Sequence, residues 1–443
     1  MKPAPLAFLA FAALCAADDP AGVPDGAEMS WLSNAEVTVG VDLNRGGAIA
    51  FLERGRGGNL INNFDFGRQV QLSFFSGPVP FSAGDKHPAK HWEHLGWNPV
   101  QAGDDFKHAS RILDHRNEGN SIHVKCAPMQ WPLDGVAADC TFESWIELDG
   151  AVVKVRARLN NARTDKTQYP ARPQELPALY ANAAFHRVVS YTGDRPFTGG
   201  AVAEVPKAAG PHPWSFWQAT EGWSALLDDS DRGVGLISPG RVQFTGGFAG
   251  APGPNDTNGN STGYLASQAD EILDHDIRYE FRCELVPGTL AEIRARAAAV
   301  RPAALPAWTF TNQRHGWHYR NARDKGWPID GALDVPLDQP DPQLIGPLTF
   351  WRAEDAPFLI IDAAFKTTHR TATIFWQRHG ETAPDSIEFP IHPDGEFHRC
   401  VVKLADAPGY RGGIVRLRFD PTPGGAPGDW VKVRSVELAA NGG

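Results

Sequence analysis

The sequence predicts an all-β protein made of two successive antiparallel β-sandwiches, the first large and the second smaller. Three observations lead there. From Ala27 onward the chain is a succession of short β-branched or alternating runs broken by Gly, Asn, Asp or Pro. Glycine (45) and proline (36) are abundant in the 443 residues without a fixed period, which sets frequent turns and excludes collagen-like or solenoid repeats. A convincing amphipathic helix is hard to find, because the best stretch, RARAAAVRPAA, is cut by Pro302. The net charge of −10, with no cluster of Lys and Arg, argues against nucleic acid and anionic membrane as partners. Fourteen Trp against three Met suggests broad aromatic surfaces of the kind that stack on sugar rings, although Trp also fills sandwich cores.

Taken in order, the chain opens with Lys2, an apolar stretch from Pro5 to Ala17, and then Asp18-Asp19-Pro20. This pattern predicts a signal peptide over residues 1–17 and a secreted or periplasmic mature protein. The run is too short to span a bilayer, and no later stretch reaches the roughly 18 apolar residues a membrane span needs. Cys15 follows Leu14, where a lipobox has Gly, Ala or Ser, so lipidation is a minor alternative. Cys126, Cys140, Cys283 and Cys400 remain, too few for a disulfide framework. Cys126 ends SIHVKC and Cys140 opens CTFESWIEL, so antiparallel pairing of these runs predicts a bridge at the loop base; two buried free thiols are the equal alternative. With no CxxC and no HExxH, neither a metal nor a cofactor is expected.

Residues 27–300 read as the first sandwich. The opening segment carries Gly46-Gly47-Ala48-Ile49, Asn59-Leu60-Ile61 and Asp65-Phe66-Gly67-Arg68. It resembles the start of a galactose-mutarotase-like β-supersandwich. That resemblance implies two large antiparallel sheets with one curved face holding sugar. The superfamily includes sugar epimerases and the non-helical sandwiches of glycoside hydrolases and polysaccharide lyases. The epimerase's catalytic His and carboxylate motifs are not recognisable here, so none of its site residues is carried over. A boundary falls at the Ala- and Pro-rich stretch over residues 297–308. Residues 306–443 then resemble the galactose-binding-like jelly-roll modules of bacterial polysaccharide-degrading proteins, through DPQLIGPLTFW, DGEFHRCVVKL, GYRGGIVRLRFDP and VKVRSVELA. Such a module binds glycan or buttresses its neighbour.

Three blocks carry candidate chemistry. GRQVQLSFFSGP supplies Arg68, Gln69 and Gln71, and the following HWEHLGWNPVQAGDDF supplies Trp97, Asn98, Gln101 and Asp104. Strand alternation puts Gln69, Gln71 and Ser73 on one face. Amides fix hydroxyls and an indole covers the flat face of a sugar, so this block reads as a binding surface. The competing reading is a long loop that folds its own Trp and amides into itself. In the second block Glu175 lies among Tyr169, Leu179, Tyr180 and Phe185, where desolvation would raise its pKa toward a value useful in acid catalysis. His186, Tyr180 and Tyr191 are nearby proton carriers, against the bland reading of a solvated loop Glu and a satisfied core His. In the third block Trp214, Trp217 and Trp223 surround Glu221.

The expectation is a glycoside hydrolase acting on a polysaccharide or oligosaccharide, with Glu175 and Glu221 converging as the acid–base pair. Trp97, Trp217 and Trp223 would stack on sugar rings, while Arg68, Gln69, Asn98, Gln101 and Asp104 would hold hydroxyls. The alternative is a polysaccharide lyase in which His186 or Tyr180 abstracts a proton. A non-catalytic glycan-binding protein is the second alternative.

Overall fold

The computed structural model describes residues 21–208 and 213–442, so the expected signal peptide lies outside the described residues. The strands form four sheets, and every registered pairing within them is antiparallel. A ten-stranded sheet runs Met29–Ser33, Val37–Asp42, Ala48–Arg54, Val70–Ser73, Arg172–Asn182, Thr262–Glu271, Gln243–Ala249 and Ser215–Gln218, with Pro99–Val100 and Met129–Gln130 paired alongside. A nine-stranded sheet packs against it, and its central strands are Arg232–Ile237, Arg278–Thr289, Val152–Asn161 and Cys140–Asp149.

Alternation explains why these strands layer. In CTFESWIELD, Phe142 and Ile146 are buried while Glu143 and Trp145 are half-buried on the opposite face. Repeated across both sheets, this puts Val39, Leu72, Leu179 and Leu265 against Phe142, Ala157, Phe281 and Leu285 in one continuous core. That apolar layer separates the outer face of one sheet from the outer face of the other.

The outer face of the nine-stranded sheet is partly covered by the helix Leu290–Ala299, the one α-helix among the described residues. Ile293 and Ala297 pack on Tyr191, Trp223, Ile237 and Val286. The helix forms just ahead of Pro302 because Thr289 and Glu292 make a reciprocal capping box. This corrects the expectation that the stretch holds no usable helix.

After the helix come a five-stranded and a six-stranded sheet with their own core, which includes Phe310, Trp317, Phe365, Trp376 and Phe419. Arg314 bridges to Asp274 at 2.7 Å, and Arg416 to Asp270 at 3.2 Å, tying this sandwich to the first.

The Cys126–Cys140 bridge does not form, and both thiols are free and buried. The register sets Cys126 opposite Phe142 and Cys140 opposite Asn161, so the two cysteines are not cross-strand partners. Burial pushes the Cys126 thiol up to about 12, which keeps it protonated and unreactive.

Candidate functional site

The strand Arg172–Asn182 determines what the ten-stranded sheet shows to solvent. Glu175 sits between Ser73 on one neighbouring strand and Gln268 on the other, and the next paired residue is Ala178. The extra residue makes a β-bulge, a device that re-aims side chains. Leu176 and Leu179 therefore both enter the core, while Glu175, Ala178 and Tyr180 share the outer face. On the strand Thr262–Glu271, Tyr264 stands opposite Tyr180, Ala266 opposite Ala178, and Gln268 opposite Glu175. Two alanines thus form the floor of a trough. The Tyr180 and Tyr264 rings stand 4.8 Å apart beside it, and Trp214 lies 4.9 Å from Tyr264.

At the head of the trough the Tyr264 hydroxyl donates to Glu175 Oε1, and the Ser73 hydroxyl also bonds this carboxyl. Burial raises the Glu175 pKa above the ordinary carboxyl value, and the two hydroxyl bonds only partly oppose it. No Arg or Lys charge among the described residues offsets the burial. Burial keeps both phenols protonated as well.

Arg68 stands on the Tyr180 side of the site. Its guanidinium donates to the Asn260 carbonyl at 2.7 Å and to Asn260 Oδ1 at 2.8 Å, and lies 3.4 Å from Asp65. Both Asp65 and Arg68 act electrostatically on Tyr180. Toward the second sandwich the same face continues into a cavity of about 260 Å³, lined by Phe216, Gln243, Gln268, Asp270 and Arg241. Phe216 is 66% exposed, an unusual setting for a phenylalanine.

Glu175, Tyr180 and Arg68 are therefore brought together, but Glu221 is not with them. The Glu221 side chain is fully buried beneath the helix on the outer face of the nine-stranded sheet, across the core from Glu175. Arg294 grips it with a two-pronged contact of 2.9 and 3.1 Å, while the Phe197 amide and the Trp223 indole donate at 2.8 and 2.9 Å. With its lone pairs filled by these donors, Glu221 is a structural joint, and the expected pair with Glu175 does not exist.

His186 is also elsewhere. It lies beyond Asn182, the far end of Glu175's own strand, and seven residues of strand span on the order of 20 Å. There its ring nitrogens face the Ala184 carbonyl at 3.3 Å and Asp229 at 3.4 Å.

The expected binding surface turns out to be internal structure. Asn98 donates to Ser73 Oγ and to the Phe74 carbonyl. Gln101 accepts from the Leu72 amide and donates to the Gly46 carbonyl, so it stands in for a peptide group where the ladder is interrupted. Gln69 is fully buried, with a left-handed φ of 128°, and donates to the Asp65 carbonyl. Asp104 closes its own loop by accepting from the amides of Phe106, His108 and Gly135. Trp97 and Trp223 have no exposed surface. Trp217 is half-buried and stacks on Phe244 at the edge of the core, while the strand Ser215–Gln218 turns the neighbouring Phe216 outward. Of these six, five are closed to a ligand in this conformation, as is Gln69; Trp217 alone keeps exposed surface, toward a pocket it shares with Phe216 and Gln243.

Sequence reasoning missed Tyr264, Phe216 and Gln268 as members of the site. Period-two alternation along TGYLASQADE carried a signal for Tyr264 and Gln268, since it sets Leu265 inward and these two outward.

No protein-family model matches the chain, and no curated protein matches it. Among solved structures it is similar to a galactose mutarotase-like protein from Lactobacillus casei ATCC 334, with 12% identity and a TM-score of 0.36, over 58% of this chain and 99% of that one. It is similar to the Slr1438 protein from Synechocystis sp. PCC 6803, with 10% identity and a TM-score of 0.37, over 60% and 98%. It is also similar to a Paenibacillus xanthan lyase, with 9% identity and a TM-score of 0.32, over 94% of this chain and 52% of that one. Identities and scores this low say nothing about chemistry.

Proposed function

We propose that the protein is a carbohydrate-active enzyme in which Glu175 passes a proton to or from a sugar bound on the outer face of the ten-stranded sheet. The observation that carries this is the state of Glu175. It is a half-buried carboxyl with a raised pKa, held by hydroxyls rather than by a cation, and set in a trough walled by aromatic rings. Such a group takes up and gives back a proton more readily than an ion-paired one. Tyr180, Tyr264, Trp214 and the exposed Phe216 supply apolar ring faces, while Gln243 and Gln268 supply amides for hydroxyls.

Two-carboxylate hydrolysis needs a second acid within about 10 Å. Glu221 cannot provide it from across the core. Asp65 favours a revised hydrolase reading, because it acts on the same Tyr180 that Glu175 acts on. The first reading needs Glu175 alone and covers elimination or proton shuttling at a ring carbon.

The test is to incubate the full-length protein with a polysaccharide panel and follow three signals together. These are ultraviolet absorbance of an unsaturated product, release of reducing ends, and interconversion of anomers. Loss of the active signal in Glu175→Gln supports the assignment of Glu175. Reducing ends that also vanish in Asp65→Asn support the hydrolase form. Full activity in Glu175→Gln overturns both readings.

A further inference from the structure

The nine-stranded sheet meets the second sandwich in a groove of about 790 Å³, lined by Arg158, Arg241, Arg278 and Arg282 around the single carboxylate of Glu280. The chain as a whole has 52 acidic residues against 42 Lys and Arg, so this lining is a local reversal of its charge even with Arg241, which faces Glu271, set aside. Strand alternation produces it. In RYEFRCELVPGT, Tyr279, Phe281 and Cys283 enter the core while Arg278, Glu280 and Arg282 turn outward. On the adjacent strand Arg158 stands opposite Glu280, and Arg156 stands directly opposite Arg282.

Like charges facing each other across strands are unfavourable. One carboxylate serves three of them. Glu280 Oε2 accepts from Arg158 at 2.9 and 3.3 Å and from Arg156 at 3.4 Å, while Oε1 lies 3.9 Å from Arg282. Arg156 is further satisfied by the Trp145 ring at 3.7 Å. Among the described residues Arg282 has no comparable second partner, and its side chain is 78% exposed. Three guanidiniums around one acid leave an excess of positive charge facing the groove.

We propose that this groove binds an anionic glycan, a sugar chain carrying carboxylates or sulfate esters. Guanidinium forks match the paired oxygens of both groups. From the second sandwich Asn312 and Gln313 bring amides suited to hydroxyls. Trp327, packed against both cores, lines the same groove with an apolar wall. That combination favours a glycan over a nucleic acid, for which a single indole beside two amides offers little stacking. Arg158, Arg278 and Arg282 lie across the core from Glu175, and only Arg241 borders both cavities, so this site goes beyond the proposed reaction and does not depend on it.

The experiment is isothermal titration of the full-length protein with oligogalacturonate, a chondroitin sulfate oligosaccharide, a neutral cello-oligosaccharide of similar length and a single-stranded oligonucleotide. The proteins compared are the parent, the double variant Arg278→Gln/Arg282→Gln, and Glu175→Gln. One or both anionic glycans should bind, and the stronger of the two names the anion. The double variant should bind it about tenfold or more weaker, with its thermal unfolding unchanged because both side chains are exposed. Binding should also weaken at roughly 0.3 M salt. Glu175→Gln should bind like the parent. Equal affinity for the neutral chain, tighter binding of the oligonucleotide, undiminished binding by the double variant, or loss of binding only in Glu175→Gln would each overturn the proposal.

Discussion

The outer faces of the two large sheets each hold a glutamate among aromatic rings, half-buried on one and buried on the other, and the fold uses them in opposite ways. Under the helix, Glu221 receives a guanidinium fork, an indole N–H and a backbone amide. On the open face, Glu175 receives hydroxyls from Tyr264 and Ser73 and, among the described residues, no cation. A carboxyl filled by fixed charged donors is held in one place and one role. A carboxyl held by hydroxyls keeps room for a proton and for a ligand. Aromatic surroundings alone do not distinguish the two; their hydrogen-bond donors do.

The largest effect should therefore be on chemistry at the first of them. Glu175→Gln is expected to lower turnover by about 100-fold to 10,000-fold, the usual contribution of a general acid or base. Stability should not fall. The folded pKa of Glu175 is raised, so the folded state binds its proton more tightly than the unfolded state does, and the parent loses stability as pH rises toward that folded value. Glutamine removes this loss. Chemical unfolding at pH 5 and pH 8 checks the sign.

Glu221→Ala should give the complementary result. It leaves the half-buried Arg294 without its carboxylate, and breaking a buried pair on one side destabilises by up to about 3–5 kcal/mol. Turnover per folded molecule should stay at the parental level. Removing both charges, as in Glu221→Leu/Arg294→Met, should recover a large part of the loss. Denaturant midpoints for the single and double variants measure this. Lost turnover in a fully folded Glu221 variant would erase the distinction between the two faces.

A third acid lies between these extremes. Glu271 is buried like Glu221, but its burial outweighs the charges of Arg241 and Arg314 and pushes its pKa up to about 7. Its contribution is most favourable below the ordinary value of 4.5, falls as pH rises from there to about 7, and is constant above that. The difference in unfolding free energy between the parent and Glu271→Gln should shift by about 3 kcal/mol between those limits. A flat difference would show that Arg241 and Arg314 offset the burial of Glu271 in full.

The comparison also shows where sequence stops being informative. Alternating runs such as CTFESWIELD state their inner and outer faces outright, and the all-β layering follows from them. The raised pKa expected of Glu175 is found, although of its apolar sequence neighbours Leu179 and Phe185 turn into the core and only Tyr180 stays on its face. Glu221 was misread because its decisive partner, Arg294, lies 73 residues away on a helix. Gln101 and Asn98 were misread for a related reason. An amide facing a sugar and an amide facing an interrupted strand look alike until the unpaired Leu72 amide and Phe74 carbonyl are located. The bulge after Glu175 is a register event between strands, and one chain segment alone does not reveal it.

The smallest effect concerns the helix that closes over Glu221. Thr289 Oγ1 accepts from the Glu292 amide at 3.3 Å, and Glu292 returns a bond of 2.8 Å from the Thr289 amide. Thr289→Ala removes the side-chain half of that box and should lower stability by about 1 kcal/mol. The Thr289 amide bond remains, with Arg54 still 2.8 Å from Glu292, so the helix should fray only at its first turn. Arg294 lies in the second turn and should keep its fork on Glu221. The fork and the core then insulate the open face, so turnover at Glu175 should be unchanged while the denaturant midpoint drops slightly. If turnover falls along with the midpoint, strain at the helix reaches Glu175 through the core, and the two faces act as one unit rather than two.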